Sequence, residues 1–146
     1  MESNIYVYIK GLEKAAHDYT RAISRARKYL LGVRRRTLNE NRVDQLLKEL
    51  KSIRNRLRKC LNGISKILET NVAIDKEAIE MIEGLTAYIT IVGLEQEKKI
   101  IKRMEILIKR GLLVSSKDLS IELNDLSELD FVGRRILEII EVQHNT

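Results

Sequence analysis

The chain has 146 residues with no proline, no tryptophan, 7 glycines and a single cysteine, and its 27 Lys/Arg against 21 Asp/Glu give a net charge of +6. That length holds one ordinary domain, or a helical domain with a small appendage. A lone cysteine excludes an internal disulfide and a cysteine-based zinc site, and no run approaches the roughly 20 apolar residues that span a bilayer.

The first element is a long amphipathic helix over residues 4–33. Ile5, Tyr8, Leu12, Ala15, Tyr19, Ala22, Ala26, Tyr29 and Val33 recur at helical spacing, and Ile9, Ile23 and Leu30 widen the stripe. Arg21, Arg25 and Lys28 share another face. Gly32 and the run Arg34, Arg35, Arg36 suit a helix end, where cations meet the negative pole of the dipole. Thr37 with Glu40 reads as a capping box for a second helix, which extends to about Glu69. Its heptad seam is Val43, Leu46, Leu50, Ile53, Leu57, Cys60, Ile64 and Ile67, and such a seam is buried only against other helices. Lys48, Lys51, Arg54 and Arg58 are placed on the opposite, cationic face.

Asp75 is a good N-cap for a third helix, with Ile74 and Ile79 as a hydrophobic staple and Ala78, Ile82, Leu85, Ile89 and Val92 inward. The pattern weakens near Gly93, and Glu95 to Lys99 reads as a charged helix end or connector. Beyond it, Met104 to Ile108 and Leu112 to Val114 are short apolar runs around an Arg110-Gly111 turn signal. Ser120-Ile121-Glu122-Leu123 alternates as a half-buried strand does. Asn124 suits the cap of a short helix to Arg135, and Ile136 to Val142 is rich in β-formers. The expected fold is mainly α: a long-helix bundle over 1–99 followed by a small β-rich (α+β) domain over 103–146. The competing arrangement is one helix over 118–142 with Leu119, Leu123, Leu126 and Leu137 inward.

Arg54-Asn55-Arg56-Leu57-Arg58-Lys59, then Ile64, Ile67 and Ile74-Asp75-Lys76-Glu77, followed far downstream by Leu123-Asn124, Phe131-Val132 and Arg134-Arg135-Ile136-Leu137, are similar in order and spacing to the A- and B-domain patterns of archaeal GINS subunits. Asn124, Glu128 and Arg135 stand where that family has proline, a small residue and glycine. The resemblance implies a non-catalytic scaffold of the replicative helicase in DNA replication. Its implied partners are other GINS subunits in a hetero- or homo-oligomer, the MCM helicase and a Cdc45/RecJ-like protein, and DNA contact is possible but not required. Abundant Ile, Leu, Lys, Arg and Glu resemble the usage of proteins from hot environments.

The charge is uneven: residues 1–71 hold 17 Lys/Arg and 7 Asp/Glu, a balance of +10, and residues 72–146 hold 10 and 14, a balance of −4. Arg21, Arg25, Lys28, Arg34 to Arg36, Lys51, Arg54 and Arg58 are therefore candidates for a phosphate-binding or protein-partner surface. The same residues also suit solvated faces, or ion pairs with the acidic half. One phenylalanine and no tryptophan argue against a single-strand stacking platform. His17 and His144 lack metal-ligand spacing. Cys60 falls in the seam, where a buried thiol is inert. No catalytic constellation, metal site or cofactor motif emerges. Met1-Glu2-Ser3-Asn4 lacks the features of a signal peptide, so a soluble, cytoplasmic, nucleoid-associated protein is expected.

Overall fold

The structure is a computed structural model that describes residues 2–33, 40–70 and 73–144. Helix α1 spans Glu2–Leu31 and α2 Glu40–Glu69; α3, Lys76–Ala87, continues through a π-helical turn at Tyr88–Gly93 into α4, Leu94–Lys109; α5 spans Leu119–His144. Asp75 caps α3, accepting from the Ala78 N–H at 2.8 Å, and the Tyr6 hydroxyl donates to the same carboxylate from α1. Gly111, at φ 73°, ends α4: its own N–H bonds to Ile108 O at 3.0 Å and the Leu112 N–H to Leu107 O at 2.8 Å, the paired bonds of a Schellman stop. The Thr37–Glu40 capping box and Arg34 to Arg36 lie outside the described residues.

Four rods result, with 76–109 acting as one. Asp18 meets Arg56 and Arg25 meets Glu49, so α1 and α2 are antiparallel. Tyr6 reaches Asp75 and Tyr19 reaches Glu97, so α1 runs parallel to the third rod. Arg54 meets Glu122 and Glu69 meets Arg135, so α2 and α5 are parallel. Helix α5 packs on α2 and on the third rod, which makes α1 and α5 diagonal neighbours in an up-down-up-down bundle around one apolar core.

The expected β-rich domain over 103–146 is not there. Among the described residues no strand forms, α4 runs unbroken through 99–103, and the Ser120–Leu123 and Ile136–Val142 segments are both parts of α5. The reason is visible in the burial pattern. Leu119, Leu126, Gly133 and Ile140 are buried seven residues apart, and so are Glu122, Leu129 and Ile136. These are the two core positions of a heptad helix. A glutamate and a glycine occupy two of the slots, which hides the period and leaves Ile121 outward at 55% exposure. Of the residues expected inward in the one-helix alternative, Leu119 and Leu126 are buried, whereas Leu123 and Leu137 are only half-buried. Asn124 is an exposed residue within α5; Asp118 does the capping, accepting from the Ser120 N–H at 3.0 Å.

The seam of α2 also turns. Val43, Leu46, Leu50, Ile53, Leu57 and Ile64 are buried as expected, but toward the C-terminus Leu61 and Leu68 take the innermost places, and Cys60 and Ile67 are half-buried.

Two glycines give opposite expectations. A Cβ at Gly133 would lie 2.0 Å from Thr90 Cγ2, so α5 approaches the π turn only because the side chain is missing; at Gly84, within α3, nothing lies within 4 Å. Gly84→Ala is expected to stabilise by about 0.5–1 kcal/mol through helix propensity, and Gly133→Ala to destabilise by about 1–3 kcal/mol through overpacking. Urea denaturation of both variants checks this; shifts of equal sign would contradict the packing at Gly133.

Candidate functional site

Tyr19 lies in a core column of α1 with Ile5, Leu12 and Ala26; Arg54 lies in one of α2 with Leu47, Leu61 and Leu68; Glu97 stands between Leu94 and Ile101 on α4; Glu122 shares its column on α5 with Leu129 and Ile136. Each of the four rods thus places one polar side chain at the same height in the core. All four are buried, Arg54, Glu97 and Tyr19 completely.

Arg54 is the centre. Its Nη2 donates to Glu122 Oε1 at 2.7 Å, its Nη1 donates to Asp125 Oδ2, and its Nε lies 3.1 Å from Glu97 Oε2 as a charge contact without hydrogen-bond alignment. The Tyr19 hydroxyl donates to Glu97 Oε1. Asp125 is partly open to solvent and accepts also from Arg58 Nη2, while Arg58 Nη1 donates to Asn55 Oδ1 at 2.7 Å. The planar guanidinium fork suits such multiple pairing, which a lysine could not reproduce.

Two cations face three carboxylates here. Burial pushes the Glu97 carboxyl up; Arg54 and the Tyr19 hydroxyl pull it down, and the Glu122 and Asp125 charges push it further up, leaving it raised. Burial and then the Glu97 charge drive Tyr19 well above the usual phenol range, so it remains a donor. Burial alone would lower Arg54, but Glu97, Glu122 and Asp125 outweigh it and hold the guanidinium charged.

The sign of the pH effect follows from Glu97. A raised native pKa means that the folded chain keeps a proton the unfolded chain has lost, so above its ordinary 4.5 this group lowers stability as pH rises, until the native carboxyl ionises. Glu97→Gln keeps an acceptor for Tyr19 and removes the titration. The melting temperature of the variant minus that of the parent is expected to rise with pH from about 4.5 upward, read by circular dichroism. A difference constant across pH 4 to 8, a range set by the carboxylate and histidine regions, would show that Glu97 does not titrate differently on folding.

The layer revises the expected surface. Arg54 belongs to the core, because its heptad column points to the bundle axis and three carboxylates from α4 and α5 receive it. Arg58 is half-buried against Asp125, and Arg25 pairs with Glu49. Arg21, Lys28 and Lys51 are exposed. Glu97 is no connector residue but a core partner, whereas Glu95 is exposed. His17 is exposed on α1, and the His144 side chain lies outside the described residues. Sequence reading missed Glu97, Glu122 and Asp125 as a site. The one signal was a column of three leucines interrupted by Arg54.

Among the described residues, no group of three His, Cys, Asp or Glu converges as metal ligands, and no helix is long and apolar enough to cross a membrane. No family model, curated protein or solved structure matches this chain.

Proposed function

We propose that this chain is a non-catalytic helical scaffold that works by docking other proteins. The observation that supports this reading most is the closed buried layer. Its charged groups pair with one another, Arg54 Nε and Glu97 Oε2 by charge alone and without a hydrogen bond, which favours one alignment of four helices over others rather than a reactive or ligand-holding centre. The outward chemistry is then that of surfaces, with Arg21, Lys28 and Lys51 among the exposed cations of α1 and α2. Docking acidic protein surfaces is favoured over nucleic acid, because Arg25, Arg56 and Arg58 are engaged by Glu49, Asp18 and Asp125 and the continuous basic stripe is broken.

The narrower form of the proposal is a GINS-like scaffold of the replicative helicase, meeting MCM and a Cdc45/RecJ-like protein. It rests on the helical segment 1–99 alone, since α5 takes the place of the B domain. Mixing the purified chain with those proteins in sedimentation experiments tests it: a micromolar complex is expected, and its absence leaves only the broader scaffold. The nucleic-acid alternative is tested by duplex DNA titration. Only weak binding is expected, on the order of 10⁻⁴ to 10⁻⁶ M as for non-specific contacts. Submicromolar, salt-steep binding that Arg21→Gln, Lys28→Gln and Lys51→Gln together abolish would reverse the preference.

A further inference from the structure

Where α1 ends beside α4, a groove of about 430 Å³ opens between Leu30, Leu31 and Ile100, with Arg27, Lys99 and Arg103 along it and no acidic residue among the described residues of its lining. Leu31 is 81% exposed. Among the described residues none of the three cations makes an ion pair, although ion pairs tie up neighbouring arginines such as Arg25 and Arg56. Leu30 and Ile100 are buried beneath the groove, and an exposed leucine among cations of one sign suits an occupant that is apolar and acidic at once.

The outer face of α5 has that chemistry. Glu128, Phe131, Glu138 and Val142 recur at helical spacing, with Phe131 67% exposed, and Glu141 lies beside them. Glu128, Glu138 and Glu141 make no ion pair among the described residues, whereas the arginines of this helix are already engaged, Arg134 by Asp130 and Arg135 by Glu69. The two surfaces cannot meet within one chain. Helix α5 is diagonal to α1, and its Gly133 and Arg135 turns lie beside Thr90 and Glu69, toward the end of the bundle away from the groove.

We propose that the cation-rimmed groove between α1 and α4 receives the acidic and apolar outer face of α5 from a second copy, joining copies head to tail. The contact is heterologous, so it propagates into a ring or filament unless one surface is blocked. It names one partner for the scaffold proposed above, and it fails separately from hetero-assembly, which is read with other proteins.

Sedimentation velocity of the full chain at rising concentration and low salt is the test. The parent is expected to sediment progressively faster, and added salt to reverse this because the rim charges are solvent-exposed. Arg27→Glu with Arg103→Glu blocks the groove, and Glu138→Lys with Glu141→Lys blocks the α5 face. Each double variant alone is expected to be a monomer with unchanged helicity, with association weakened at least about tenfold by like-charge contact. An equimolar mixture of the two opens one intact groove to one intact α5 face. It is expected to form a dimer and stop there. A parent that stays monomeric at about 100 μM, where contacts of millimolar to micromolar strength separate, would overturn the proposal. So would self-association that survives the α5 changes, or a mixture that adds no dimer.

Discussion

Arg54→Met is expected to lower the stability of the bundle by about 3–5 kcal/mol, because it leaves Glu97, Glu122 and Asp125 facing one another in the core without their shared cation. For a chain of this length that is a fall of roughly 10 °C or more in melting temperature. The loss of packing is small, since methionine keeps most of the stem. What is lost is the compensation of buried charge. The companion variant carries Arg54→Met, Glu97→Met and Glu122→Met together and is expected to recover most of the loss, because replacing a whole buried ionic group by apolar side chains is often neutral or stabilising. Calorimetry of the single and triple variants decides. A single variant within about 1 kcal/mol of the parent, the range of exposed ion pairs, would mean that the layer is solvated in solution.

Leu57→Asp should prevent folding at neutral pH. Leu57 is fully buried in the central seam of α2, three residues beyond Arg54. Truncating such a leucine costs about 2–5 kcal/mol, and an ionised carboxylate without a partner adds several more, against a total stability of about 5–15 kcal/mol. Helicity by circular dichroism should collapse at neutral pH and return in part in acid, where the carboxyl is neutral. Leu31→Asp, at a site 81% exposed, is the control and should melt close to the parent. An unchanged melting temperature for Leu57→Asp would mean that the seam of α2 does not face the core.

Helices α1 and α2 were legible because their apolar residues keep a helical period over eight turns, and burial of a continuous stripe leaves a chain few other solutions. The Asp75 cap was legible too, since an N-cap is a local hydrogen bond three residues long. Helix α5 was misread as strand, short helix and strand because Glu122 and Gly133 fill core positions. A pattern rule counts an acid as outward and gives a glycine no apolar weight, so the heptad loses two of its members. Ile121 and Ile136 then look like strand residues, although the first faces solvent and the second faces the core.

By itself the sequence determined a chain of long amphipathic helices without a disulfide, and it marked where three of those helices begin or end. These are consequences of period and of local hydrogen bonding. Only the tertiary structure decided which charges go inside. Arg54 finds Glu122 and Asp125 at separations of 68 and 71 residues, and Tyr19 finds Glu97 at 78. A charge is stable in a core only where partners converge on it. That convergence depends on the register of four packed helices, which no local stretch of the chain contains.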